Sequence, residues 1–91
     1  MVTLTNDNFK TEILDFQGFA LVMFTAPWVD VKFPEYIPTK PCKLGTVDFD
    51  AERELVHKYS VREIPYYFLF ANGTVIYSDN SMKRWIEGMK L

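Results

Sequence analysis

Cysteine and histidine, which supply most redox and metal sites, occur only once each in these 91 residues. One cysteine cannot form an internal disulfide, and a histidine without a second ligand at a supporting spacing is weak evidence for a metal or for catalysis. We therefore interpret His57 as part of a solvated helix surface and expect no metal and no cofactor. The acidic residues Asp48, Asp50, Glu52 and Glu54 fit a strand followed by a helix start and need no cation.

Long runs of one charge or of apolar residues are also missing. The formal net charge is −2, with scattered Lys and Arg, so the chain has no electrostatic footprint for nucleic acid or an anionic membrane. The longest apolar run, Phe19 to Phe24, is far shorter than the roughly 20 residues of a membrane helix. The first residues lack the basic region and apolar core of a signal peptide. We expect a soluble, cytoplasmic protein that binds neither nucleic acid nor membrane.

Apolar side chains are plentiful, with 48% hydrophobic and 16% aromatic residues. A chain of this length makes one domain, residues 1–91, and these side chains are enough to build a core without disulfides.

The first part of the chain predicts a strand, a short helix and a buried strand. Val2 to Leu4 is a strand candidate, and Thr5 stands at the N-cap of a helix with one apolar face. That face is formed by Phe9, Ile13, Leu14 and Phe16. Phe19 to Thr25 is apolar without alternation, which favours a strand buried on both faces in the middle of a sheet.

Prolines interrupt the pattern between Pro27 and Gly45. Pro34, Pro38 and Pro41 bias the preceding residues away from helix, so at most a single turn starting at Pro34 fits here. We expect an irregular crossover in this segment.

A strand and a helix follow the crossover. Thr46 to Asp50 alternates as a strand does, and Ala51 to Tyr59 is predicted to be a helix capped by Asp50. Its buried face consists of Leu55, Val56 and Tyr59.

The last third predicts a hairpin and a helix. Tyr66 to Phe70 is a second buried strand, and Asn72-Gly73 before Thr74 to Tyr77 indicates a type I′ turn between antiparallel neighbours. Ser81 can cap a helix with an apolar face of helical spacing. That face is Met82, Trp85, Ile86 and Met89.

Three segments in this order resemble a thioredoxin or protein disulfide isomerase domain. They are Leu4 to Phe9, Ala20 to Trp28, and Tyr59 through Asn72-Gly73. The resemblance implies a thioredoxin-like α/β fold, in which a mixed sheet of parallel strands and an antiparallel C-terminal hairpin has helices on both faces. It also implies that Pro65 is the family's cis-proline, beside the active site.

The active-site chemistry of the family is missing from this resemblance. In the family, Trp is followed by Cys-x-x-Cys, but the cysteine positions after Trp28 are Val29 and Lys32. The buried carboxylate that relays protons corresponds to Met23, and the lysine that faces it corresponds to Thr46. Because thiols, acid and partner are all absent, the resemblance argues against disulfide exchange and makes an enzyme doubtful.

A peptide-receiving surface needs no cysteine. The family places the residues matching Trp28, Ile64 and Pro65 together on the surface, and Val29 and Asp30 adjoin Trp28. The resemblance therefore implies that Trp28, Val29, Asp30, Ile64 and Pro65 form a binding site for another protein.

The segment after Trp28 is too short for the long second helix of the family. Eighteen residues separate Trp28 from Val47, so we expect that helix to be deleted or reduced to a turn. Either Phe33, Tyr36 and Ile37 fold back over the sheet face that it would cover, or another chain buries that face. We expect a homodimer through this face at micromolar concentration.

Cys42 supports a second hypothesis. It stands in Lys40-Pro41-Cys42-Lys43, which resembles the end of the family's active-site motif, and two lysines can lower a thiol pKa. However, Cys42 comes fourteen residues after Trp28, with no helix N-terminus to stabilise a thiolate. The favoured function is a redox-inactive thioredoxin-fold module that binds a protein. The alternative is a monothiol disulfide oxidoreductase that uses Cys42 through mixed disulfides.

Overall fold

A computed structural model describes residues 2–28 and 42–79 of the chain. The predicted turn at Pro34, the shortening of the family's second helix, the dimer face and the helix after Ser81 all lie outside these residues.

The described residues form a mixed five-stranded sheet with two short helical segments. The strands are β1 (Val2–Leu4), β2 (Phe19–Thr25), β3 (Cys42–Asp48), β4 (Tyr66–Ala71) and β5 (Thr74–Asp79). A π-helical turn, Lys10–Leu14, follows β1, and helix α1, Arg53–Lys58, follows β3.

The spatial order of the strands is β1-β3-β2-β4-β5. Strand β3 pairs in parallel with β1 and β2, whereas β4 pairs antiparallel with β2 and β5. The predicted α/β class, with parallel strands and an antiparallel C-terminal hairpin, is confirmed.

Strand β2 is the centre of the sheet, as its unbroken apolar run predicts. Val22 and Phe24 are fully buried in one cluster, and Leu21 and Met23 are buried in a second. Since successive side chains of a strand point to opposite faces, these two clusters lie on opposite sides of the sheet.

The larger cluster joins both helical segments to the sheet. Phe9 and Ile13 of the first helical region and Leu55 and Val56 of α1 are buried in it. Tyr59, at the end of α1, packs its ring against four others. These four rings belong to Phe9, Phe24, Phe68 and Phe70. Burial raises the pKa of the Tyr59 hydroxyl.

Thr5 begins the turn that precedes the first helical segment, whose own N-cap residue is Phe9 and not, as predicted, Thr5. The Asn8 amide donates to Thr5 Oγ1 at 3.3 Å, and the Thr5 amide donates to Asn8 Oδ1 at 2.7 Å. This reciprocal pair satisfies two amides that a helix start leaves without partners.

Several predicted boundaries are wrong. Strand β3 begins at Cys42 instead of Thr46, because residues from Cys42 onward pair with β2 from Phe19 onward, and it ends at Asp48 instead of Asp50. Tertiary pairing thus overrides the interruption suggested by Pro41 and Gly45. The crossover predicted to extend to Gly45 therefore ends before Cys42.

Helix α1 begins at Arg53 instead of Ala51, and Asp50 does not cap it. Instead, Asp48 Oδ1 accepts hydrogen bonds from the amides of Asp50 at 2.9 Å and Ala51 at 3.2 Å. An Asp at the end of a strand can bond to amides two or three residues on, which forms a turn before the helix starts.

Helix α1 ends in a Schellman motif. The Ser60 amide donates to the carbonyl of His57, and the Val61 amide donates to the carbonyl of Val56. Ser60 has a φ of +55°, the left-handed conformation that this motif needs. The chain therefore reverses its direction directly after α1. Val56 before the reversal and Val61 after it are both buried in the larger cluster.

The Asn72-Gly73 turn joins β4 and β5 as predicted. Both residues have positive φ, +51° and +83°, as a type I′ turn requires. A Cβ on Gly73 would overlap the Leu14 carbonyl oxygen, so the turn packs closely on the first helical segment. Gly18 and Asn72 also exchange hydrogen bonds, from the Gly18 amide to Asn72 Oδ1 and from the Asn72 amide to the Gly18 carbonyl.

In the parts of the chain just described, no helix is both long and apolar enough to cross a membrane.

Gly45 is the position of closest approach between β3 and the side chains of β1. A Cβ there would lie 2.5 Å from Leu4 Cδ1 and 3.0 Å from Leu4 Cγ, and Leu4 is 1% exposed. We expect Gly45→Ala to lower the free energy of unfolding by about 1–3 kcal/mol, because the buried leucine has no free space to enter. Urea denaturation followed by circular dichroism measures this loss.

A double-mutant cycle with Leu4→Ala identifies the cause. Once the Leu4 side chain is truncated, Gly45→Ala should cost clearly less than it does in the wild type. Equal costs in both backgrounds would show that the methyl group clashes elsewhere.

Candidate functional site

Trp28 is the most exposed large hydrophobic residue described. It follows the carboxyl end of β2 and is 69% exposed, whereas Ala26, two residues earlier, is buried. A solvent-exposed indole is unusual, because a side chain of this size normally buries most of its apolar surface. Tryptophan is among the side chains that are most enriched at the centres of protein interfaces.

The antiparallel pairing of β2 with β4 brings a second segment to the same edge of the sheet. Phe24 pairs with Tyr66, so Ile64 and Pro65, just before β4, lie at the edge where β2 ends and Trp28 follows. Ile64 and Pro65 are half-buried, and the peptide bond between them is cis. Ile64 also packs against the larger core cluster, which fixes this segment to the sheet.

Three of the five predicted binding residues are therefore described, and all three belong to one edge of the sheet. They are Trp28, Ile64 and Pro65. Val29 and Asp30 lie outside the described residues, as does Lys32.

Met23 and Thr46, predicted to replace the family's acid and its basic partner, are direct neighbours across β2 and β3. Met23 is 3% exposed and is buried with Leu21, Tyr67 and Leu69. Burial raises the pKa of the Tyr67 hydroxyl. None of the buried residues of this cluster is a carboxylic acid, so none can relay a proton as a carboxylate would.

Cys42 lies at the other end of the sheet. Its backbone pairs with Phe19, the first residue of β2, whereas Trp28 follows the last. At the rise of a β-strand, the seven residues of β2 separate these two ends by roughly 20 Å. The structure therefore does not bring Cys42 to the edge that holds Trp28 and Pro65.

Thr25 is a feature of this edge that the sequence analysis missed. Its hydroxyl oxygen is buried and has no hydrogen-bond partner among the described residues, although Thr25 ends β2 beside Asp48. Thr25 pairs with β3 one residue beyond the last pair of β2 with β4, and no local pattern of residue types signals that its hydroxyl is buried there.

The other residues considered as metal or catalytic candidates do not form a site. His57 is exposed on α1, and Asp48 Oδ1 accepts hydrogen bonds from backbone amides in the turn before that helix. Within residues 2–28 and 42–79, no group of three or more His, Cys, Asp or Glu side chains is placed to hold a metal.

Comparison with known proteins identifies the family. The family model described as Thioredoxin matches residues 1–87. The chain belongs to the thioredoxin family. It is 35% identical over 81 residues to "Protein disulfide isomerase-like 1-3" of Arabidopsis thaliana and 36% identical over 87 residues to "Protein disulfide-isomerase" of Drosophila melanogaster.

These matches cover most of this chain but little of the relatives. They span 80% and 84% of the chain, but only 14% and 17% of the two relatives. The similarity thus corresponds to a thioredoxin-like domain, and the resemblance of the three sequence segments to this family is confirmed.

The Met23 position tests whether the acid site has become part of the core. We expect Met23→Glu to lower the free energy of unfolding at pH 7 by about 2–4 kcal/mol, because a carboxylate in this cluster loses its hydration. Burial raises the pKa of such a glutamate above its unfolded value. The loss relative to wild type should therefore be small below pH 4 and grow as the pH rises toward the folded-state pKa.

Met23→Leu is the control, with an expected cost below about 1.5 kcal/mol because volume and polarity are kept. Chemical denaturation at pH 4 and pH 7 measures both variants. A glutamate variant with the same small loss at both pH values would mean that water reaches position 23.

Proposed function

We propose that this protein is a redox-inactive thioredoxin-fold module that binds an extended segment of another protein through Trp28, Ile64 and Pro65. The observation that carries the proposal is the exposed Trp28 at the same sheet edge as the half-buried Ile64-Pro65 segment. Val29 and Asp30, which follow Trp28 in the chain, are assigned to the same surface.

An exposed aromatic ring beside a fixed apolar segment is suited to binding. The indole offers a large contact area whose burial is favourable, and its N–H can bond to a backbone carbonyl of the bound chain. Because Ile64 is anchored in the core cluster, little conformational entropy is lost when this side of the surface is covered.

Loss of redox activity is supported by the chemistry that disulfide exchange requires. The reaction needs an attacking thiolate and, in dithiol enzymes, a second thiol that resolves the mixed disulfide. This sequence has one cysteine, Cys42, at the opposite end of β2 from Trp28. The position of the proton relay holds Met23, next to Thr46.

The relatives are named as disulfide isomerases, and they are much longer than this chain, which spans about one sixth of their length. For this chain we propose that the polypeptide-binding part of a thioredoxin-like domain is retained without the exchange reaction.

Binding is tested with a fluorescein-labelled unfolded polypeptide whose cysteines are alkylated, so that mixed disulfides cannot form. Fluorescence anisotropy should show saturable binding to the wild type. We expect Trp28→Ala to weaken that binding about tenfold or more, since a tryptophan at the centre of an interface commonly contributes this much.

Ile76→Ala is the matched control. Ile76 is also a large exposed hydrophobic residue, 53% exposed, but it lies on the edge strand β5. The Ile76→Ala variant should bind the polypeptide as tightly as the wild type does. An equal loss in both variants would indicate unspecific hydrophobic binding, and an unchanged Trp28→Ala variant would exclude this surface.

A turnover assay separates this function from the alternative of a monothiol oxidoreductase. In the presence of dithiothreitol, we expect the wild type and Cys42→Ser to leave the rate of insulin disulfide reduction at the rate of dithiothreitol alone. If the wild type accelerates insulin disulfide reduction and Cys42→Ser does not, the protein is a thiol enzyme and the proposal of a redox-inactive module is wrong.

A further inference from the structure

A cleft of about 260 Å³ lies between helix α1 and the segment that follows it, and none of its lining residues is among those assigned to polypeptide binding. Its wall carries two arginines and a histidine, together with one hydroxyl and two valines. The lining residues are Arg53, Val56, His57, Ser60, Val61 and Arg62. None of them is acidic.

The shape of the cleft follows from the end of α1. Arg53 and His57 are four residues apart and therefore share one face of the helix. The Schellman motif at Ser60 then reverses the chain, so that Arg62 lines the same cleft from the opposite side. Cationic side chains from two segments thus converge on one space.

The two guanidinium groups have no carboxylate partner among the described residues. Arg53 donates to the carbonyl oxygen of Phe49 at 3.4 Å and lies 5.1 Å from the centre of the Phe49 ring. The nearby carboxylate Glu52 accepts a hydrogen bond from the Asn6 amide at 2.9 Å. Glu52 and Glu54 line a second cleft, to which Arg53 also contributes.

The remaining lining residues complete a site for an anion. Val56 and Val61 are buried and supply an apolar floor, next to which charge–charge attraction is less screened than in open water. Ser60 and His57 add a hydroxyl and an imidazole that can donate hydrogen bonds. The volume lies just below the roughly 300–1,000 Å³ of typical small-molecule sites.

We propose that this cleft binds the phosphate group of a small phosphate monoester. Guanidinium groups present paired N–H donors that match phosphate oxygens, and two of them balance a dianion. The valine floor suits a small apolar or aromatic substituent on the phosphate. This site is independent of the Trp28 surface, and neither proposal needs the other.

The test is an amide chemical-shift titration of the full 91-residue chain at constant ionic strength. The probes are inorganic phosphate and phenyl phosphate, with chloride as the reference anion. We expect saturable shifts confined to the amides of residues 53–62, and tighter binding of phenyl phosphate than of inorganic phosphate. If inorganic phosphate binds more tightly than phenyl phosphate, the proposal of a phosphate monoester is wrong and the ligand is free phosphate.

Arg62→Gln should weaken phenyl phosphate binding about two- to fivefold, as expected for the loss of one charge-assisted contact made by an exposed arginine. Arg53→Gln should do the same. Because Arg53 also contacts Phe49, a loss of binding is easier to interpret for Arg62→Gln than for Arg53→Gln.

Lys58→Gln is the matched control, since it removes one positive charge from the same helix without changing the lining of the cleft. It should change the affinity by less than about twofold. An equal loss in Lys58→Gln and Arg62→Gln would show general attraction to a basic surface. Shifts that do not saturate, or that saturate at residues outside the cleft, would also overturn the proposal.

Discussion

The burial of β2 on both of its faces is the constraint on which the rest of the structure depends. Its side chains enter two clusters, one shared with both helical segments and one that contains Met23, while its backbone pairs with β3 and β4. A strand in this position tolerates only apolar side chains that fit the available volume. A carboxylate at position 23 would lose its hydration, whereas the methionine found there, beside Thr46, contributes to the packing of the second cluster.

The same strand also determines which residues meet at each edge of the sheet. Parallel pairing with β3 and antiparallel pairing with β4 bring the end of one strand and the beginning of another to a common edge, so Trp28 and Pro65 become neighbours of that edge from distant parts of the sequence. Cys42 is carried to the other edge by the same register. The residues on which the two functional hypotheses depend therefore lie at opposite edges of the sheet.

Sequence patterns predicted the parts of the fold that rest on local chemistry or on long apolar runs. The Thr5 cap, the central strand and the Asn72-Gly73 turn are of this kind, and all three are confirmed. The start of β3 could not be predicted, because its first residues join the sheet through pairing with a strand more than twenty positions earlier. Within the candidate site, the resemblance to thioredoxin domains indicated Trp28 and Pro65. The cleft beside α1 was not indicated, because it depends on a left-handed serine that reverses the chain and brings Arg62 back toward Arg53.

The paired hydrogen bonds between Gly18 and Asn72, with Gly73 seated on Leu14, have a consequence for how this domain tolerates change. They connect the beginning of β2, the end of β4 and the first helical segment at the edge of the sheet where the Asn72-Gly73 turn lies. The opposite edge, where Trp28 lies, takes no part in these contacts. Substitutions at that edge leave these contacts, and with them the register of the strands, in place. The residues that hold the strands together at one edge are thus different from Trp28, Ile64 and Pro65 at the other, so this fold can accept new side chains at one edge without a change of shape.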